Sequence, residues 1–189
     1  MKIHSITPFS SVNGPGERTV IHFQGCRFQC PGCFNPETHS LESGTEMTLE
    51  EIIDTIPFNI DGVTISGGEP FLQQKDLFEL VDLLFKQNIP IIIFSGYYRK
   101  EIEKLKYGHE ILSKIDALID GRFEENSISH TGLHGSDNQT VHLLSNRYAI
   151  EDFHIRDIEF IFDETGKVSV TGFPNDDLLS ALVSNKNNS

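Results

Sequence analysis

Gly25-Cys26-Arg27-Phe28-Gln29-Cys30-Pro31-Gly32-Cys33-Phe34-Asn35 is the stretch on which the reading of this chain turns. It holds all three cysteines of the 189 residues, spaced C-x3-C-x2-C. With none elsewhere, there is no disulfide framework to explain. Thiolates crowded this closely make a soft-ligand site, which selects zinc, Cu(I) or an iron–sulfur cluster. A closed structural zinc site wants a fourth ligand, for which His22 and His39 are the nearby candidates. A cubane 4Fe–4S cluster normally takes four cysteines. Held by three, it keeps one iron open to a small molecule. The missing fourth cysteine argues against a cluster used only for electron transfer.

The flanking sequence places this loop in an α/β pattern. Residues 19–23 (Thr-Val-Ile-His-Phe) form a buried strand that delivers the chain into the loop. Before it, residues 3–9 form a short edge strand ended by Pro8, and Asn13-Gly14-Pro15-Gly16 form a turn. After it comes a helix over 48–56, capped by Thr48 with Glu51 closing a capping box. Residues 63–66 are the next strand, running into Gly67-Gly68-Glu69-Pro70. The helix over 75–88 puts Leu77, Leu80, Val81, Leu84 and Phe85 on one face. Strands over 90–94 and 116–120 follow, separated by short helices over 100–106 and 110–114. Helical crossovers between strands imply a parallel sheet, and sites in such folds lie beyond the carboxyl ends of the strands. The cysteine loop, the glycine turn and Ser95-Gly96 all sit at that edge.

Residues 122–139 are a polar loop over this edge, and 140–144 a further strand. Beyond residue 150, Ile158, Phe160 and Phe162 alternate, then Val168 and Val170, which predicts a hairpin. A short helix over 176–183 and a polar, disordered tail over 185–189 complete the expectation. The core is thus 1–150, with 151–189 an extension of the same domain.

Composition narrows the function classes. The formal net charge is −13, which disfavours nucleic acid, whose phosphates call for Lys and Arg. No apolar run is long enough for a membrane span, and the amino terminus lacks the apolar core of a secretory signal. Free thiols meant for a cluster point to a reducing compartment, the cytoplasm.

Taken together, the cysteine loop and the Gly67-Gly68-Glu69 turn resemble the radical S-adenosylmethionine (radical SAM) superfamily. Asn13-Gly14-Pro15-Gly16-Glu17-Arg18, Asp120-Gly121-Arg122-Phe123 and Gly132-Leu133-His134-Gly135-Ser136-Asp137-Asn138-Gln139 resemble the activating proteins of anaerobic ribonucleotide reductases. The resemblance implies a truncated, open partial (βα) barrel of the radical SAM type, carrying the hairpin and helix as a C-terminal addition. It implies one 4Fe–4S cluster on Cys26, Cys30 and Cys33 with S-adenosylmethionine on the open iron. Reductive cleavage of that cofactor yields a 5′-deoxyadenosyl radical, which abstracts hydrogen from a glycine of a large glycyl-radical enzyme. A flavodoxin or ferredoxin would supply the electron. Cofactor contacts are expected from Gly32, Phe34, Ser66, Gly67, Gly68, Glu69, Ser95, Asp120 and Asn138. The two glycines would let the main chain approach the methionine end, and Glu69 would face its amino group. Ser136, Asn138 and Gln139 suit either a bound backbone or bracing of their own loop. Two other readings stand beside this one. One is a stand-alone radical SAM catalyst acting on a peptide or small molecule, and the other a non-catalytic iron–sulfur or zinc module.

Overall fold

Apolar residues in near-continuous runs build the centre of a seven-stranded sheet, because strands covered on both faces need no polar side. The structure is a computed structural model and describes residues 1–154, 156–162 and 168–173. In chain order the sheet elements begin with β1 (Lys2–Ser10), β2 (Arg18–Phe23) and β3 (Thr45–Glu46). Helix α1 (Leu49–Asp54), strand β4 (Gly62–Gly67), helix α2 (Gln74–Lys86) and strand β5 (Ile91–Ser95) follow. Then come α3 (Arg99–Ile102), α4 (Gly108–Leu112), β6 (Ala117–Asp120) and β7 (Thr140–Leu143). A separate antiparallel pair, β8 (Ile158–Phe162) and β9 (Val168–Gly172), is the expected hairpin, with Phe160 opposite Val170 and Phe162 opposite Val168. The helix over 176–183 and the tail lie outside the described residues.

The strand order is β3-β1-β2-β4-β5-β6-β7. The strands β2, β4, β5 and β6 are parallel, as the helical crossovers require, while β1 pairs antiparallel with β2, β3 antiparallel with β1, and β7 antiparallel with β6. One face is sealed by α2, whose Leu77, Leu80, Val81 and Leu84 pack against Ile65, Ile91, Ile93 and Leu118. The opposite face carries a smaller cluster of Ile92, Ala117, Ile119, Leu133 and Phe153. The capping box at α1 is present: Glu51 N donates to Thr48 Oγ1, and Thr48 N to Glu51 Oε2. Among the described residues no helix is long and apolar enough to cross a membrane.

Three expectations need correction. Strand β1 does not stop at Pro8 but runs to Ser10, and its pairing with β2 shifts register between Thr7 and Ser10. The irregularity absorbs the missing N–H of Pro8, as bulges do. Phe85 is 51% exposed rather than on the buried stripe of α2, and its ring lies under Lys114 Nζ at 5.1 Å. Phe78 takes an inward place instead, stacked on Tyr107 at 5.3 Å. The polar helix over 100–106 is only the single turn of α3, because few apolar residues hold it to the sheet.

Candidate active site

Where β2 ends, Gln24 and Gly25 turn the chain sharply out of the sheet. Gly25 has a φ of 99°, Gln29 of 48° and Gly32 of 68°, so the cysteine loop coils through three left-handed positions. The loop is pinned at its base. Gly25 N donates to Thr38 O at 2.8 Å, Cys26 N to His39 O at 3.2 Å, and Gln24 Nε2 to Ser40 O at 2.8 Å. Cys26 is buried, and Cys30 and Cys33 are half-buried. Burial pushes the Cys26 and Cys33 thiols up, opposed by hydrogen bonds from the backbone of Phe28 and Gln29 to the first and of Asn35 to the second.

The parallel neighbour β4 ends beside this base. Gly68 N donates to Phe23 O and Glu69 N to Gly25 O, both at 2.8 Å. A Cβ on Gly67 would lie 2.6 Å from the backbone N and O of Phe23, and one on Gly68 would lie 2.4 Å from Gly25 O. The two glycines are therefore required by the neighbouring chain before any ligand is considered. The cysteine loop and the glycine turn are one unit, not the two independent loops that their separation in sequence suggests.

Glu69 is 2% exposed and ties the next strand to this unit. Its Oε1 accepts from Phe71 N and Ser95 Oγ, both at 2.9 Å, and its Oε2 accepts from Gly96 N at 2.8 Å. Burial pushes its carboxyl up to about 7, against the pull of these donors. Three further side chains join beside this unit. Arg122 stacks over Phe28 at 4.5 Å and forms a two-pronged ion pair with Glu101 at 2.9 and 3.1 Å.

A cavity of about 630 Å³ opens at this edge. All three cysteines line it, as do Phe34, Ser66, Gly67, Gly68, Glu69 and Ser95. Gly32, Asp120 and Asn138 are not among its lining residues. Gly32 turns toward Glu125, whose side chain a Cβ would meet at 3.0 Å. Asp120 accepts from Arg99 N and lies 3.1 Å from His142 Nε2. Asn138 Nδ2 donates to Arg122 O at 2.7 Å, and its Oδ1 is buried with no partner among the described residues. The rest of that loop braces itself. Gln139 Oε1 accepts from Gly135 N at 2.7 Å, its Nε2 donates to Gly121 O at 2.7 Å, and Ser136 Oγ accepts from Glu124 N at 3.1 Å.

Sequence reasoning missed a whole wall. Ile161, Val170, Thr171 and Phe173, from the hairpin and the residue after it, line the cavity, as do His4 and Phe123. The alternation of the hairpin was visible, but nothing in it says against which face it packs.

The donors suit a cubane. Among the described residues no three Cys, His, Asp or Glu side chains converge on one ion-sized point. A cubane asks instead for thiolates that each take a different iron, and three thiols of one loop facing one cavity supply that. His22 and His39, the zinc candidates, both line the cavity. Burial and the neighbouring His4 push the His22 imidazole down to about 4, and its Nδ1 is 3.2 Å from Ser5 Oγ.

Comparison with known proteins agrees with this donor set. Residues 12–142 match the family described as a 4Fe-4S single cluster domain. The pyruvate formate-lyase-activating enzyme of Clostridium pasteurianum is 37% identical over 145 residues, covering 72% of this chain but 60% of that protein's length. The anaerobic ribonucleoside-triphosphate reductase-activating protein of Enterobacteria phage T4 is 34% identical over 150 residues, 75% of this chain and 93% of the phage protein. The protein of the same name from Salmonella typhi is 31% identical over 156 residues, 76% of this chain and 99% of its own length.

Proposed function

Because this chain belongs to the 4Fe-4S single-cluster family, alongside glycyl-radical activating proteins, we propose that it generates a glycyl radical on a large partner enzyme. The anaerobic ribonucleotide reductase is the partner class this reading favours, since the reductase-activating relatives align over nearly their whole length. The observation that carries the reading is the convergence of the three thiols and the Gly67-Gly68-Glu69 turn on one cavity at the carboxyl edge of parallel strands.

In this reading Cys26, Cys30 and Cys33 would hold the cluster as thiolates, and binding would release thiol protons against the burial that favours them on Cys26 and Cys33. A reduced cluster with S-adenosylmethionine bound supplies methionine and a 5′-deoxyadenosyl radical, one electron being consumed from an external flavodoxin or ferredoxin. The chain's own work is placement. Ser66, Gly67 and Gly68 line the cavity, and in this reading the main-chain groups there that the pairing with β2 leaves open would meet the methionine end. Glu69, its oxygens aligned by Ser95 and Gly96, lies where an ammonium group would draw its carboxyl down from about 7 and stabilise the charged form. Phe34 and Phe123 keep water from the reacting end. One hydrogen atom would pass from the target glycine's α-carbon to the 5′ carbon, giving 5′-deoxyadenosine and leaving the unpaired electron on the partner. An open, truncated (βα) barrel belongs to this reading: an open edge admits a protein loop that a closed barrel excludes. A reducing, cytoplasmic setting belongs to it too.

Anaerobic reconstitution tests the proposal. Cluster-loaded protein should carry about four irons with sulfide per chain, and on reduction should form 5′-deoxyadenosine. Cys30→Ala should lose both. With a candidate partner, EPR should show a glycyl radical. One zinc per chain, or full turnover by the variant, overturns the assignment. Consumption of a small peptide with no glycyl radical would point instead to a stand-alone catalyst.

A further inference from the structure

Four phenylalanine rings from four different parts of the chain form an arc in the cavity wall. Phe123 lies 5.1 Å from Phe34, Phe34 lies 6.1 Å from Phe173, and Phe173 lies 6.5 Å from Phe94. All four line the cavity. Phe34 follows Cys33 directly, and Phe94 belongs to β5. Phe173, the residue after β9, lies outside the 12–142 stretch that carries the family match.

The paired strands that deliver Phe173 are fastened on two sides. Glu159 Oε1 accepts from Ser11 N at 2.9 Å and Ser11 Oγ at 2.8 Å, and Thr171 Oγ1 accepts from Asn13 Nδ2 at 2.8 Å. Just before the pair, Arg156 Nη1 donates to His134 O at 3.0 Å and Gly132 O at 3.3 Å, while its guanidinium lies over the Phe173 ring at 5.0 Å. Phe173 N donates to Asp157 O at 3.1 Å. The hairpin thus bridges the β1–β2 turn and the loop before β7, and seats one ring against the cysteine loop.

We propose that Phe173 is a positioning residue: it closes the aromatic arc and narrows the cavity beside the cysteine loop to a slot for an extended, glycine-bearing backbone. The inference rests on the activating-enzyme reading and adds to it a residue and a shape. Hydrogen transfer demands close contact between two carbon atoms, so a cavity wide enough for a side chain lets the target drift. A wall of rings takes up that width and gives up no hydrogen-bonding groups to water. A residue without a Cβ is the one that still fits.

The test uses the full chain, with Phe173→Ala and the ring-preserving Phe173→Tyr. Two quantities are read: glycyl radical formed on the partner per 5′-deoxyadenosine released, and the rate at which iodoacetamide alkylates Cys33 in cluster-free protein. Phe173→Ala should lower the first at least about tenfold more than it lowers partner-free cofactor cleavage. It should also raise the alkylation rate several-fold, and Phe173→Tyr should restore both. An Ala variant with wild-type coupling and wild-type alkylation overturns the proposal. So does one in which coupling, partner-free cleavage and iron content fall together, which marks a general support of the fold. Should the wild type form no glycyl radical on any partner, the activating reading fails, and the alkylation rate alone still decides whether Phe173 walls the cavity.

Discussion

Glu69 carries more than a motif position. Its burial opposes charge, while Phe71 N, Ser95 Oγ and Gly96 N all offer it donors. With its carboxyl pushed from 4.5 up to about 7, the folded chain holds a proton between those values that the unfolded chain has lost. Stability from this group is therefore fully present below the unfolded value and falls as pH rises through about 7. Urea midpoints at about pH 5.5 and 7.5 should show the wild type losing about 1–2 kcal/mol relative to Glu69→Gln. A constant difference would mean that the donors outweigh burial and the carboxylate stays charged. The same residue shows what a sequence can and cannot say. A glutamate after two glycines at a strand end marks a site. That its oxygens would be taken up by the end of β5 depends on a neighbour 26 residues away.

At the scale of elements, the glycine turn and the cysteine loop move together. Gly68→Ala would set a Cβ 2.4 Å from Gly25 O, next to Cys26, so strain reaches the cluster ligands directly. Iron content after reconstitution should fall well below wild type, and on the proposed function so should affinity for S-adenosylmethionine. Full iron with weakened cofactor binding would mean the two loops act separately. The strands and helices of the sheet were legible because each repeats one period of apolar residues: α2 at helical spacing, β5 as an unbroken run. What escaped were features set by contact rather than period. The run of β1 past Pro8 needs the irregular pairing with β2. The outward turn of Phe85 is matched by Lys114 over its ring. The self-bracing of Gln139 and Asn138 was one of two roles their residue types allowed, and the carbonyls they meet, those of Gly121 and Arg122, are set by contact. Asp120, at a strand end where site residues collect, was drawn off by Arg99 and His142.

Across the whole molecule, Arg18 holds the end of the sheet remote from the cavity. It is 0% exposed, and its guanidinium donates to Thr64 Oγ1, Tyr148 Oη and the carbonyls of Pro15, Val63 and Pro90. These acceptors come from the β1–β2 turn, β4, the start of β5 and the segment after β7. Burial lowers its pKa, with the hydrogen-bonded Tyr148 acting in the opposite sense. Arg18→Met fills the space but leaves several buried acceptors without donors, and should cost at least about 3 kcal/mol in urea unfolding. A loss under about 1 kcal/mol would mean that water replaces the guanidinium. The hydrogen bonds from Gly68 and Glu69 back to Phe23 and Gly25 also fix an order of events during synthesis. The three thiols leave the ribosome while the strand that seats their loop is still unmade. For that interval they are exposed on an unanchored chain, open to any oxidant that would join two of them. Cluster loading belongs after β4 has paired with β2. A cell that slows translation between these segments, or admits oxygen while they are separated, should accumulate chains that fold and never take up iron.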